Sequence, residues 1–330
     1  MTAAHIAHIA NIADRAIQAA SPALWEALSP LGRQARVPEN FLPQQTAEAR
    51  GKTWNATIGQ ITDGQGGALP LSPMAAALSG LDPARRNQAF LYSPVEGLAE
   101  LRQRWRERQR RRRPEAPPSG LPIVTAGPIL ALSIAADLFL AEGRTVVLPE
   151  AHPPGYPEIF TLRTGARPLV APFTEALAGV PPGEPVMVVL RAPAVPGGVD
   201  LSREERQATI GVLTAAAEER PLVVLLDDVW EREGSSLFWD LLGLHPSLIP
   251  VKVDGADGEI GFPGGGVGFL TFPFDPESEV ALAIEGKVKM LSRSVVGSPS
   301  AAGQAILLAA LSIAPSPPAA PGRPSPRPGT

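Results

Sequence analysis

The chain contains no cysteine, which excludes disulfides, thiolate metal sites and a cysteine nucleophile. Lysine is nearly as scarce: only Lys52, Lys252, Lys287 and Lys289 occur in 330 residues. Any chemistry that needs a primary amine must draw on one of these side chains. Aromatic residues make up 5% of the chain, with two tyrosines, Tyr92 and Tyr156. The net charge of −4 is too mild to imply a polyanionic partner. No apolar run reaches the ~18 residues that a membrane span requires. The N-terminal MTAAHIAHIANIADRAIQAA has apolar residues at helical spacing but no basic leader region, and Asp14 and Arg15 interrupt it early. With the missing cysteines, this fits a cytoplasmic protein.

What is present is apolar enough, at 44% with 19% charged residues, for a globular chain with a large core. Three regions are expected. Residues 1–71 form an N-terminal helix and a loop-rich segment, with a turn signal at DGQGG (Asp63 to Gly67). Residues 72–313 form the main domain. Residues 314–330 carry seven prolines in the last 16 positions and read as a disordered tail.

From Ile123 onward strands and helices alternate. IVTA, TVVLP, VMVVL and LVVLLDD are short β-branched runs, separated by helical stretches such as ILALSIAADLFLAEG and SREERQATIGVLTAAAEE. Continuous apolar strands between helices predict an α/β fold with a mainly parallel sheet covered on both faces. The arginine run Arg102 to Arg113 suggests nucleic acid at first sight. The plainer reading is the end of a helix whose apolar face holds Leu98, Leu101 and Trp105, with no aromatic besides Trp105 in the run to stack bases. A second feature is VKVDGADGEIGFPGGGVGFLTF, Val251 to Phe272, two apolar strands around a glycine cluster. A dinucleotide loop should open a helix, whereas this one runs into another strand, which speaks against a phosphate cradle.

The ordered strings NATIGQITDGQG, YSPVEGLAELR, VTAGPILALSIAADLF, VVLPEAHPPGYPEIF, LLDDVWE and VKVDGADGE resemble the class I/II aminotransferases of fold type I. The resemblance covers about Leu24 to Leu311. It implies a dimeric protein dependent on pyridoxal phosphate (PLP), with a large α/β domain and a small domain that is incomplete here. It implies an amino-acid or keto-acid ligand, and neither a nucleic acid nor a membrane as partner. PLP chemistry makes separate demands: a lysine for the Schiff base, a carboxylate on the pyridine nitrogen, a donor to the phenolate oxygen, a stacked ring, and a cup of donors for the phosphate.

By that resemblance Asp227 is the carboxylate, although Asp228 beside it is an alternative and an acidic strand end is common. Trp230 stands where a tyrosine would donate to the phenolate oxygen. Tyr92 matches a tyrosine that reaches across the dimer to the neighbour's phosphate; a core tyrosine is the other reading. Ile58 and Gly59, within ATIG, match the backbone lining the substrate side. Other positions depart from the pattern. Val195 replaces an asparagine donor, Pro128 and Ile129 replace small or hydroxyl residues in the phosphate turn, and Pro153 falls near the stacking ring, with His152 or Tyr156 as substitutes only if the loop shifts. Gly258 stands at the lysine and Gly266 at the phosphate arginine. Lys252, six residues upstream of Gly258, is the nearest surrogate; Lys287 and Lys289 are expected on a solvated helix face. The resemblance stops before Ala314, where relatives would continue into a small domain bearing an arginine for the substrate carboxylate.

Three functions are therefore set against one another: an aminotransferase-like protein with impaired or no catalysis, acting as a binding or partner subunit paired with itself or with a full-length relative, or as an inert relic, and binding PLP weakly or not at all; an active PLP-dependent aminotransferase using displaced residues; and a nucleotide- or phosphate-binding protein using the glycine cluster. Several independent losses favour the first.

Overall fold

The structure, a computed structural model, describes residues 15, 17–35, 48–49, 70–153, 155–191, 200–231 and 235–313. The DGQGG turn, Lys52, Ile58, Gly59, Val195 and the proline-rich segment from 314 lie outside the described residues. Short helices come first: α1 (Pro22–Ala27), α2 (Pro30–Gln34), α3 (Ser72–Ser79) and α4 (Pro83–Ala89). The arginine-rich helix is α5 (Ala99–Arg112), followed by β1 (Ile123–Ala126), α6 (Pro128–Phe139) and β2 (Thr145–Leu148). Next are α7 (Tyr156–Thr161), β3 (Arg167–Val170), α8 (Phe173–Ala178) and β4 (Val186–Arg191). Then come α9 (Arg203–Glu219), β5 (Leu222–Asp227), α10 (Phe238–Leu241) and β6 (Leu248–Gly255). The glycine cluster holds α11 (Ala256–Glu259) and a 3₁₀ turn at Pro263–Gly265 before β7 (Val267–Thr271). Two longer helices follow, α12 (Glu279–Val296) and α13 (Ala301–Ile313).

The strands form one seven-stranded sheet in the order β1-β7-β6-β5-β4-β2-β3. Every pair is parallel except the two that β7 makes, with β1 and β6. The expected mainly parallel α/β sheet is therefore present, with β7 reversed. The central strands are buried on both faces, which is why they read as unbroken apolar runs. Val223 and Leu225 of β5 pack with Ala131, Leu132 and Ala135 of α6 on one face. Leu222, Val224 and Leu226 pack with Leu213 and Ala217 of α9 on the other. Helix α9 starts on a capping box: the Ser202 hydroxyl accepts from the Glu205 N–H at 3.1 Å, and the Glu205 carboxylate accepts from the Ser202 N–H at 2.8 Å.

Helix α5 explains its arginines internally. Leu101 and Trp105 are buried, and Trp105 stacks on Phe269 at 4.1 Å between centroids and 10° between planes. Arg102 is itself buried, donating to the Pro122 carbonyl at 2.7 Å and to Glu285 at 2.5 Å. Beyond the helix end, Arg113 bonds Asp240 at 2.6 Å and Glu115 at 2.7 Å. The helix is thus tied to the domain by its charges as well as by its apolar face.

Candidate cofactor site

The site lies where the C-terminal ends of β4, β5 and β6 meet the N-terminus of α6, the usual ligand-binding edge of an open parallel sheet. Register decides which side chains face it. Arg191 at the end of β4 is level with Asp227 at the end of β5, and Asp227 is level with Val253 of β6. Residues level with one another on adjacent strands share a face, so Arg191 and Asp227 point to the same side. Lys252 is level with Leu226 and points to the opposite side.

Asp227 is buried, and a single oxygen, Oδ2, accepts from the Tyr156 hydroxyl at 2.9 Å and from Arg191 Nε at 2.9 Å. The guanidinium carbon of Arg191 lies 5.6 Å from the centre of the Tyr156 ring. His152 also stacks on Tyr156, at 6.0 Å with 17° between planes. Burial and the neighbouring Asp227 charge push the Tyr156 phenol well above its ordinary range, so it stays protonated and donates. Tyr156 therefore braces the carboxylate at its edge instead of stacking over a ring, as the shifted-loop reading had allowed. Arg191 was not anticipated from the sequence. Its signal was a lone charge ending the apolar run VMVVLR, legible only once the register with β5 is known.

Lys252 is fully buried and committed elsewhere. Its Nζ donates to Asp228 at 2.7 Å and to Glu231 at 2.5 Å, with Asp254 at 3.8 Å. Asp228, the alternative to Asp227, belongs to this second cluster and bonds Ser236 at 2.5 Å. The parity of the two strands therefore separates the neighbours: Asp227 faces α6 and α7, and Asp228 faces Lys252. Lys289 pairs with Glu96 at 3.0 Å on α12, and Lys287 is exposed, as a solvated helix face predicts.

Gly258, in α11, is closed to side chains. A Cβ built there would sit 2.1 Å from the Val229 carbonyl oxygen and 3.0 Å from Cε3 of the Trp230 ring. The loop after β5 has thus settled against the backbone at the position where the resemblance expects the lysine. Trp230 is the residue covering it, 40% exposed, so it lies over α11. Gly266 adopts φ +57° in open space, a left-handed conformation suited to glycine. It approaches Gly127, the N-cap of α6 at φ +88°: a Cβ on Gly127 would lie 4.0 Å from the Gly266 Cα.

The start of α6 is packed tight. A Cβ at Gly255 would stand 2.7 Å from the Pro128 ring, and one at Gly268 would stand 2.4 Å from the Gly127 carbonyl carbon. The Thr125 hydroxyl donates to the Gly127 carbonyl at 2.9 Å. Pro128 contributes no N–H to this helix end, and Gly266 contributes no cation. Tyr92 is 97% exposed, which rules out the core reading within this chain. Phe90 and Leu91 beside it are exposed as well.

The residues present do not fit covalently held PLP. Gly258, where the resemblance expects the lysine, has no room for a side chain, Lys252 faces away in an ion cluster, and Asp227, where the resemblance expects the ring-nitrogen carboxylate, already holds Arg191. Among the described residues no helix is long and apolar enough to cross a membrane, and no cluster of His, Cys, Asp and Glu is arranged to hold a metal.

No family model matches the sequence, and no curated protein matches it. Solved structures do. An aminotransferase from Anaerococcus prevotii superposes with a TM-score of 0.68 at 19% identity, covering 81% of this chain and 70% of that one. The alanine aminotransferase from Pyrococcus furiosus gives 0.66 at 18% identity over 88% of this chain and 73% of that one. The aromatic-amino-acid aminotransferase from Burkholderia pseudomallei, described as covalently bound to pyridoxal phosphate, gives 0.64 at 19% identity over 86% and 75%. With its mostly parallel seven-stranded sheet and these neighbours, the chain has the fold of the class I/II aminotransferases, fold type I.

Proposed function

We propose that this chain carries the aminotransferase fold without transamination of its own, and acts as a partner subunit in the cytoplasm. The observation that carries this reading is Gly258. A Schiff base needs an amine projecting into the site, and the Val229 carbonyl lies 2.1 Å from where even a Cβ would begin. Lys252 does not rescue the chemistry, since its face of the sheet and its carboxylate partners hold it away from Asp227. Asp227, Trp230 and Tyr92 are then inherited positions whose roles toward a cofactor have lapsed or passed to a partner, and PLP binds weakly or not at all. An absorption titration of the full chain with PLP tests this. No band of an internal aldimine should develop beyond that of free cofactor with surface amines; a saturable, stoichiometric band would overturn the reading.

The exposed Phe90, Leu91 and Tyr92 support the partner role. Large aromatic and aliphatic side chains clustered on a surface favour association. The partner is a second copy or a full-length relative, whose phosphate site Tyr92 would complete; the ligand reaching such a pair would be a small amino or keto acid. Co-expression followed by size-exclusion chromatography should show co-elution, weakened by Tyr92→Ala. Separate elution at micromolar concentration would contradict it.

A further inference from the structure

We propose that Arg191 is a resident counter-ion of Asp227, occupying with its guanidinium the carboxylate that a pyridinium-type ligand would need, so that this half of the site admits an aromatic cation only when Arg191 is removed. The inference rests on the reading above, that no cofactor is held covalently here. It goes further in saying what took the ring's place.

Both partners come from the ends of adjacent parallel strands in direct register, so their meeting follows from the sheet and not from a loop. The pair is desolvated, with side-chain exposures of 9% and 5%. A carboxylate that deep requires a cation or a set of donors, and breaking such a pair is far more destabilising than never having built it. A guanidinium is always charged, whereas a pyridine nitrogen must first take up a proton to compete. Tyr156 reinforces the choice: its hydroxyl donates to the same carboxylate oxygen that Arg191 holds, and its ring lies beside the guanidinium. Oδ2 is thus taken by a phenol and an arginine, and the guanidinium charge cancels the carboxylate charge that would otherwise draw a pyridinium to Oδ1. Arg191 is engaged through Nε, not as a fork, and among the described residues its Nη1 is buried without a hydrogen-bond partner. Holding the carboxylate thus leaves one of the arginine's own donors unsatisfied, as expected of a cation accommodated in a space shaped for something else.

The probe is pyridoxamine 5′-phosphate, which carries the pyridine ring but no aldehyde and so cannot bond to lysine. Calorimetric titration of the full chain compares the unaltered protein, Arg191→Met and the double variant Arg191→Met/Asp227→Asn. Arg191→Met should bind at least about tenfold more tightly than the unaltered protein, the worth of one charged hydrogen bond. The gain should vanish in the double variant. Equal affinities with and without Arg191, or a gain that survives loss of Asp227, would overturn the proposal. Should Arg191→Met fail to fold, Arg191→Gln, which removes the charge but keeps a donor, takes its place with a smaller gain in the same direction, and its failure to gain would equally count against the proposal. Failure of the underlying reading has a different signature, an aldimine band with PLP in the unaltered protein, which this aldehyde-free probe cannot produce.

Discussion

Two ion clusters sit back to back on the β4–β5–β6 ends, one on each face of the sheet. On one face Arg191 meets Asp227 with Tyr156; on the other Lys252 meets Asp228 and Glu231, with Asp254 nearby. Both are buried, yet they differ in composition. The lysine cluster is rich in carboxylates and bordered by Ser236, Trp105 and Gln109, and it ties α5 to the strands. The arginine cluster has one carboxylate, a phenol and a guanidinium nitrogen that has no partner among the described residues. The first is a structural knot. The second lies at the C-terminal edge of the parallel strands, where open α/β sheets bind ligands. Two adjacent aspartates serve different ends because alternate strand residues face opposite sides.

Substitutions on the two faces should separate these roles. Lys252→Met removes the shared cation from several buried carboxylates and is expected to destabilise the chain by about 3–5 kcal/mol in urea unfolding. Arg191→Met should be milder, about 2–3 kcal/mol, because Tyr156 continues to donate to Asp227. A larger loss at Arg191 than at Lys252 would reverse the assignment of knot and site.

Next in size is the closed position. Gly258→Ala should destabilise by about 1–3 kcal/mol, since a methyl group has to displace the Val229 carbonyl or the Trp230 ring. A neutral or stabilising Gly258→Ala in thermal melts would mean the loop yields freely and the lysine position is open after all.

Stability should also depend on pH. Burial, outweighing the attraction of Lys252, raises the Asp228 carboxyl to about 7, and burial raises Asp257 to about 6. Between the ordinary aspartate range and these values the folded chain holds protons that the unfolded chain has released. Stability therefore falls as pH rises from about 4 to about 7, by at most about 1.4 kcal/mol per pH unit for one proton. Lys252 is raised by its carboxylates and stays charged throughout this window, so its contribution fades only in strong alkali. Asp228→Asn should flatten the slope in melts taken across that range; an unchanged slope would place the titration elsewhere.

Much of the fold was legible in the residues. VMVVL and LVVLLDD are uninterrupted because both faces of β4 and β5 are covered, and SREERQ announces a capped helix. The reversal of β7 was less visible, since short apolar strands carry no mark of direction; the compact Ala256–Gly266 connection is what forces it to run back beside β6. At the site, Asp227 could be placed by its strand end, and the parity of Lys252 could have been counted from Asp227 once the register was known. The Arg191 contact could not, because it depends on how β4 and β5 align. Nor could the closure of Gly258, since a glycine in sequence says that a side chain is missing and nothing about what has filled the space. Tyr92, within an apolar Phe-Leu-Tyr run, reads as core or interface equally well until its exposure is known.

The most direct test of the central claim is borohydride reduction of the full chain incubated with PLP, followed by intact mass and peptide mapping. No stoichiometric adduct is expected on the buried Lys252, with at most scattered labelling of exposed amines such as Lys287. A single adduct at one equivalent on Lys252 would contradict it.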